Sequence, residues 1–460
     1  MGLVVLKFGG TSVIDAAAMS RVVRIVSHAR VEGGPVVVVV SAMAGVTDAL
    51  LHACEAARAG AIDDAEARLA AVEARHRAVI DTLFPSSVRS QDVWREVSRE
   101  HDDLRAVLKS VAVLRELTPR ALDRVAAAGE LMSSRIVAAL LRATGQPVRW
   151  ADPRRVIVTD DSFGGAQPLG DATRRAASRE LRPAIAAGEI AVLGGFVGAT
   201  ADGITTTLGR GGSDFSAAII GAALDAAEIQ IWTDVDGMLT ADPRVVPGAQ
   251  PVSRLSFDEA SELAYFGAKV LHPSTILPAV AQSIPVRILN TLRPDRPGSV
   301  ITADGPRDGR PLTAIACKRN VTVVNVTSTR MLLAHGFLRR VFEVFERHAT
   351  SVDVVTTSEV SVSMTLDDDR RIDAIERDLS LFATVQVERG MAIVSAVGDN
   401  LRADPALAVS IIAALGRLPL RMVSQAASRR NVTVVLDDAD VPAAMGRLHA
   451  EFFAAVEATR

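Results

Sequence analysis

Cysteine is nearly absent: Cys54 and Cys317 are the only two in 460 residues. They allow one disulfide at most and no disulfide framework, so a reducing cytoplasm is the expected compartment. Long apolar runs are missing too. The run at residues 35–40, like every other, is far short of the ~20 needed to cross a bilayer, and reads as a buried strand of a parallel sheet. Met1-Gly2-Leu3-Val4 lacks the basic segment and apolar core of a signal peptide. There is no excess of basic charge: the net charge is −3 and the pI about 6.3. Neither nucleic acid nor a membrane is therefore an expected partner.

Whole chemistries are missing as well. No G-x-x-x-x-G-K-[ST] and no G-x-G-x-x-G after a strand occurs, which disfavours Walker-type NTPases and dinucleotide-dependent dehydrogenases. No Cys/His cluster has zinc spacing, so no metal ligands are assigned. The eight histidines are scattered and no G-x-S-x-G is present, which leaves a hydrolase triad without support.

What remains is 49% apolar and 23% charged, ample core for two or three domains. The chain is organised around Val4-Val5-Leu6-Lys7-Phe8-Gly9-Gly10-Thr11-Ser12. This is an apolar strand with one charge, closed by two glycines. Glycine lets a ligand approach the main chain, and Thr11, Ser12 and Asp15 offer caps for a following helix whose amides would face the same ligand. The stretch reads as a phosphate site, or as an edge strand with a surface lysine and an ordinary turn.

Residues 1–50 read β-α-β, with strands at 4–8 and 36–40 around a helix over 15–30. Residues 49–143 are helical in character, punctuated at Pro85-Ser86-Ser87 and Thr118-Pro119. Within them Glu130 follows Ala126-Ala127-Ala128-Gly129 and, taken alone, reads as a solvent-facing helical glutamate. Strands are predicted at 148–150, 156–159, 190–196, 229–232 and 286–289. The turns at Gly9-Gly10, Gly194-Gly195 and 209–212 all follow strands. If those strands share a sheet, the turns converge on one crevice beyond its carboxyl ends, joined by the 41–48 loop. Lys7 and Arg210 bring cations there, and Lys269 is a candidate third. Backbone amides with fixed cations suit phosphoryl transfer, where catalysis is positioning and charge stabilisation.

Breaker-rich residues 293–311 form a linker. The rest reads as two β-α-β-β-α modules of ferredoxin-like type, 312–389 and 390–460, the first with an amphipathic helix from about 335 to 347. Such a pair is a dimerisation platform or a ligand-sensing domain.

Four motifs in this order resemble the aspartokinase family. They are Lys7-Phe8-Gly9-Gly10-Thr11-Ser12, Thr207-Leu208-Gly209-Arg210-Gly211-Gly212-Ser213-Asp214, Trp232-Thr233-Asp234-Val235-Asp236-Gly237 and Phe266-Gly267-Ala268-Lys269-Val270-Leu271-His272-Pro273. The likeness runs nearly end to end and is strongest to the monofunctional, lysine-sensitive type. It implies an α/β fold: a three-layer amino-acid kinase (carbamate kinase-like) domain over 1–292 with a mainly parallel sheet, then two α+β ACT domains. It also implies transfer of a phosphoryl group from ATP to the β-carboxylate of L-aspartate, giving 4-phospho-L-aspartate and ADP. That carboxylate has a pKa of about 4 and is already ionised at neutral pH, so no general base is required.

The resemblance gives Lys7 to the transferring phosphoryl group, with Gly9 and Gly10 donating amides and Asp214 orienting Lys7. It gives Arg210 to the substrate α-carboxylate, whose bidentate geometry suits a guanidinium, and Glu130 to the α-ammonium. Ser41, Thr47 and Ser213 complete the substrate pocket. Thr233, Asp234, Leu239, Arg244 and Lys269 are assigned to the nucleotide; Leu239 stands where relatives often carry Tyr. Mg2+ is expected to travel with the ATP phosphates. The alternative within the superfamily is a kinase of a glutamate-type acceptor or a carbamate; Glu130 and Arg210 together argue for a free α-amino acid, with its ammonium and carboxylate both read. Intact Lys7, Arg210 and Asp214 speak against a catalytically silent sensor. Lysine is the expected effector, bound by Met331, Ala334, Gly336, Phe337, Leu338, Asp353, Ser358 and Glu359; Ala334 stands where relatives often carry Ser. A homodimer or homotetramer through the ACT domains is implied.

Overall fold

The structure is a computed structural model that describes residues 2–31, 34–267, 273–305, 310–328, 335–399, 401, 404–425 and 429–453. It divides into two compact units, 1–238 with 270–304, and 239–269 with 305–460. This partition departs from the linear one: residues 239–269, which sequence alone attaches to the first domain, fall with the second unit.

The first unit begins with β1 (Val4–Phe8), α1 (Ala16–Val31) and β2 (Val36–Val40). Four helices follow: α2 (Val46–Ala59), α3 (Ile62–Leu83), α4 (Ser87–Leu114) and α5 (Pro119–Ala143). The breaks fall where proline and small polar residues interrupt the pattern. Thr118 caps α5 by accepting the Ala121 N–H, and Pro119 takes the first turn, where its missing N–H costs nothing. Then come β3 (Val148–Trp150), α6 (Gly170–Ala186), β4 (Ile190–Gly194), β5 (Val197–Ala199), β6 (Thr205–Thr207), α7 (Gly212–Leu224) and β7 (Glu228–Thr233). In chain order β8 (Arg254–Ser256) and α8 (Phe257–Tyr265) belong to the second unit; α9 (Leu277–Ala281), β9 (Val286–Asn290) and β10 (Ser299–Thr302) return to the first.

The strands of the first unit are ordered β3-β4-β2-β1-β7-β9-β10. Among these seven strands β1 pairs in parallel with β2 on one side and β7 on the other, and β9 with β10 is the antiparallel pair. The chain therefore winds outward both ways from β1, which makes its carboxyl end the topological switch point. Alternation explains how β1 carries a lysine. Leu6 and Phe8 join Val36, Val38 and Val40 in the core beneath the helices, each fully buried residue stabilising by roughly 1.5–3 kcal/mol. Val5 and Lys7 have the opposite parity and face the side where α7 packs on β1.

Two expectations are corrected. The run 156–159 is not a named strand: a short 3-10 turn at Pro153–Arg155 precedes it, and Val158 and Thr159 make only isolated bridges. β6, which leads into 209–212, lies in a separate two-stranded ribbon with β5, not in the main sheet.

The second unit continues with β11 (Ala314–Thr327), α10 (Phe337–Arg347), β12 (Val355–Thr357), β13 (Ser361–Leu366), α11 (Ile372–Ser380) and β14 (Thr384–Val397). It ends with α12 (Pro405–Leu415), β15 (Leu420–Ser424), β16 (Asn431–Asp437) and α13 (Val441–Phe453). Six of these strands form one antiparallel sheet, β12-β13-β11-β14-β16-β15. Two cores lie along it, one around Val324, Phe337 and Leu379, the other around Ile315, Val394 and Leu448. β11 serves both: Ala314 to Lys318 pair with the end of β14 and Val323 to Thr327 with its start, across a register shift at Lys318–Val323. The module containing the first core is thus inserted after the opening strand of the other, rather than preceding it in tandem. The polar Lys318-Arg319-Asn320 bulge, with Asn320 left-handed, hides this continuity from the sequence.

Candidate functional site

A cavity of about 360 Å3 lies beyond the carboxyl ends of β1 and β2. Lys7, Ser41, Thr47, Glu130, Ser213 and Asp214 line it, with residues 42–45, 209 and 211–212, and Phe196 and Asp48. Six of the expected site residues thus meet there, drawn from β1, the loop after β2, α2, α5 and α7.

Lys7 Nζ sits 2.6 Å from Asp214 Oδ1, with both side chains largely buried. Asp214 is in the first turn of α7, so the sheet and the helix N-terminus are tied by one ion pair. The glycine turn beyond β1 is tightly packed. A Cβ on Gly10 would come within 3.0 Å of the Ala42 carbonyl, and Ala44 N donates to Gly10 O. The Gly9 N–H donates to the Trp232 carbonyl, 3.1 Å away. This corrects the expectation that both glycines offer amides to phosphate, because the β1–β7 ladder consumes one of them.

Glu130 is 5% exposed, which overturns the solvent-facing reading. Small residues bring it in. A Cβ on Gly129 would stand 2.8 Å from the Ala42 Cβ, and one on Gly194 would stand 3.0 Å from the Glu130 carbonyl. Ser133 Oγ donates to the Ser41 carbonyl and fastens the same contact. Burial pushes the Glu130 carboxyl up to about 8, against the opposing pull of the Ala42 N–H, its own N–H and the Lys7 charge. Its Oε2 has no hydrogen-bond partner among the described residues. A buried acceptor left open on a cavity wall is a place for a cation.

Two helix N-termini point at the cavity. Gly45 caps α2 and Gly211 caps α7, both left-handed and both without a side-chain cap. Their first-turn amides and helix dipoles favour an anion. Arg210 is exposed, held between the lining residues Gly209 and Gly211.

Sequence reasoning missed Phe196. It adopts φ 65, a rare conformation for a bulky residue, and lines the cavity. Ser216 Oγ accepts its N–H, and its carbonyl accepts the Leu208 N–H. Gly212 is the only fit opposite, since a Cβ there would fall 2.5 Å from the Phe196 ring. The Gly195-Phe196 pair beside Gly211-Gly212 was the available signal.

The residues expected at the nucleotide fall in both units. Thr233 and Asp234 lie at the end of β7, where Thr233 Oγ1 donates to Asp234 and the Thr233 carbonyl accepts from Thr291. Leu239 and Arg244 belong to the second unit; Leu239 bridges to Pro251, and the Arg244 guanidinium is held by Asp242. Lys269 lies outside the described residues, as do Met331 and Ala334 of the expected effector site. No group of three or more side chains suited to a metal ion occurs among the described residues. No described helix is long and apolar enough to cross a membrane.

The effector residues divide. Gly336 is the left-handed cap of α10 and Leu338 is partly exposed, while Ser358 and Glu359 sit exposed in the turn between β12 and β13. The Phe337 ring is buried against Phe382, so only its main chain remains for a ligand. Asp353 is already engaged. Tyr265 Oη donates to it at 2.9 Å, and Lys318 Nζ lies 3.3 Å from it and 2.5 Å from Asp367. Lys318 also stands over the Tyr265 ring at 4.9 Å. Burial and the neighbouring Asp367 hold the Asp353 carboxyl above the usual range. The expectation of an open acid awaiting an effector ammonium is corrected to an acid that holds an internal one.

Comparison with known proteins agrees with this geometry. The sequence profile of the amino acid kinase family matches residues 2–290, and that of the ACT domain matches 394–452. Aspartokinase 3, chloroplastic, of Arabidopsis thaliana is 39% identical over 98% of this chain and 81% of its own. Lysine-sensitive aspartokinase 3 of Escherichia coli is 36% identical over 98% and 99%. Two crystal structures of E. coli aspartokinase III superpose over 98% of this chain at 34% identity. The complex with lysine and aspartate gives a TM-score of 0.83 over 99% of that chain. The complex with aspartate and ADP gives 0.82 over 100%. The chain belongs to the amino acid kinase family and, within it, to the aspartokinases.

Proposed function

We propose that the chain phosphorylates the β-carboxylate of L-aspartate with ATP. The observation that carries this reading is the pairing, in one cavity, of Lys7 on Asp214 with a buried, open Glu130. Glu130 takes the α-ammonium and Arg210 the α-carboxylate. Ser41, Thr47 and Ser213 surround the side chain, which directs the β-carboxylate towards Lys7. One of its oxygens attacks the γ-phosphorus; the bond from phosphorus to the β,γ-bridging oxygen breaks, and ADP leaves with that electron pair. Lys7 and the Gly10 amide neutralise charge on the transferring group, and Asp214 holds Lys7 in place. The nucleotide is assigned to Thr233 and Asp234 and, on the resemblance, to Leu239, Arg244 and Lys269. Mg2+ accompanies the phosphates and supplies charge neutralisation there; its water-rich hydration suits a site without dedicated carboxylate ligands. The test is ATP turnover with aspartate, with glutamate and with no acceptor, and the expected result is ADP release that depends on aspartate.

The two free thiols, Cys54 and Cys317, support a cytoplasmic setting. The exposed Val409 and Ile412 of the apolar helix α12 support association with further copies of the chain.

Lysine is the proposed effector, since the similar E. coli enzyme was solved with it. With Asp353 already holding Lys318, a lysine ammonium must displace an internal one, and the exposed Glu359 is the cleaner contact. Lysine at millimolar levels or below is expected to inhibit, with a coupling of ~1–3 kcal/mol. Glu359→Gln should raise the half-inhibitory concentration and leave the uninhibited rate intact. Calorimetry without a lysine signal, together with unchanged rates at high lysine, contradicts the regulatory reading and leaves the kinase reading standing.

A further inference from the structure

Asp123 lies two turns before Glu130 on α5 and is 2% exposed. No cation is bound to it by any ion pair among the described residues; its carboxylate is instead met by backbone and hydroxyl donors. Oδ1 accepts the Gly164 N–H at 3.0 Å and the Thr207 hydroxyl at 2.7 Å. Oδ2 accepts the Gly164 N–H at 3.1 Å and the Thr207 N–H at 2.9 Å. A buried carboxylate is costly unless hydrogen-bonded, so these contacts are strong and mutually dependent.

The donors come from two segments that frame the cavity. Thr207 is the last residue of β6, immediately before Leu208-Gly209-Arg210-Gly211-Gly212. Gly164 belongs to the turn on which the glycine loop rests: a Cβ on Gly209 would stand 3.3 Å from the Gly164 carbonyl. The Ala166 N–H, donated to the Thr207 carbonyl, closes the same junction. One carboxylate thus fastens three segments: the helix that carries Glu130, the strand that carries the Arg210 loop, and the turn beneath that loop. Residues seven apart share a helix face, so Asp123 and Glu130 look the same way, one at the hinge of the loop and the other in the cavity.

We propose that Asp123 is a positioning residue that fixes the distance between Glu130 and the Arg210 loop, and so sets how the ammonium and carboxylate of the amino acid are held together. This rests on the reading of the cavity as the acceptor site. It assigns no chemical step to Asp123, which has no reach to the reacting atoms. Its effect falls on acceptor binding because ATP does not use the Glu130–Arg210 separation.

The test is Asp123→Asn, which keeps the size and one acceptor oxygen but turns an amide N–H towards a donor. The KM for aspartate is expected to rise at least ~10-fold while the KM for ATP stays within ~2-fold. Hydrogen exchange at the amides of 207–212 is expected to quicken. Thr207→Val, which removes the hydroxyl donor alone, should show the same split more weakly, and Thr207→Ser, which restores it, should be near wild type. Equal rises in both KM values, or unchanged aspartate KM in a folded variant, overturn the proposal. If Asp123→Asn does not fold, the Thr207 pair decides it by the same criteria. Should the wild type show no aspartate-dependent turnover, the functional reading has failed instead; unchanged exchange at 207–212 in the variants then overturns the clasp itself.

Discussion

Replacing Lys7 with alanine is expected to lower kcat at least ~100-fold, equivalent to about 2.7 kcal/mol of transition-state stabilisation. Lys7 is 8% exposed and its ammonium is fixed by Asp214 at 2.6 Å. A charge held in that way needs no reorganisation when negative charge develops on the transferring phosphoryl group, and acts in a water-poor site where it counts for more. The substitution does more than delete a cation. It leaves the Asp214 carboxylate facing incoming phosphates, which turns an attractive field repulsive. The fold should persist, since β1 keeps its pairing on both sides and the Leu6 and Phe8 core is on the opposite face. Steady-state kinetics with circular dichroism as a fold control checks this. A folded Lys7→Ala enzyme with near wild-type kcat removes Lys7 from the chemistry.

The second large effect concerns Glu130 and is read through pH. Its carboxyl is pushed up to about 8 by burial, so near neutrality the protonated form dominates. An ammonium binds the ionised form. Aspartate must therefore displace a proton, and its KM should rise as pH falls below about 8, approaching ~10-fold per unit. The ammonium and β-carboxylate of aspartate do not themselves titrate between pH 6 and 8. Glu130→Gln should abolish this dependence and raise the aspartate KM ~10–100-fold at pH 8, the loss expected for a charge-assisted hydrogen bond in a buried site. Stability moves the other way. The folded carboxyl titrates above the unfolded one, so the apo wild type loses stability as pH rises from about 4.5 to about 8. The glutamine variant is free of that loss, and its Tm should exceed the wild-type Tm by more at pH 8 than at pH 5. A pH-independent aspartate KM in the wild type contradicts the assignment.

Local signals carried much of this fold. Val36–Val40 is an uninterrupted β-branched run and Val4–Phe8 an apolar run broken only by Lys7, each closed by small residues, and both form where expected. The helical breaks at Pro85 and Pro119 follow from proline chemistry. What the sequence does not reveal is pairing at long range. Asp123 meets residues 41 and 84 positions away, and its own neighbours, Leu122 and Arg124, give no hint of it. Lys318, on which no motif falls, pairs with Asp353, an acid assigned to the effector, and with Asp367 beside it. The Gly9 amide is spent on Trp232, 223 residues on, because β7 lies beside β1. β11 runs through a polar bulge that breaks the apolar pattern without breaking the strand, which is why its two modules read as tandem. Lys7 and Gly10 are legible as a phosphate turn from the residues themselves, whereas Glu130, Ser213 and Asp214 are assigned by resemblance. Phe196 is neither, because its role depends on a backbone angle rather than on residue type.

The central claim is that this cavity presents aspartate to ATP as a phosphoryl acceptor, and coupled ADP release tests it most directly. The purified chain, supplied with ATP and Mg2+, should release ADP with saturable dependence on aspartate. Glutamate should support at most a small fraction of that kcat/KM, and buffer alone only the background rate. ADP release that is equal with and without aspartate, or faster with glutamate, contradicts the account.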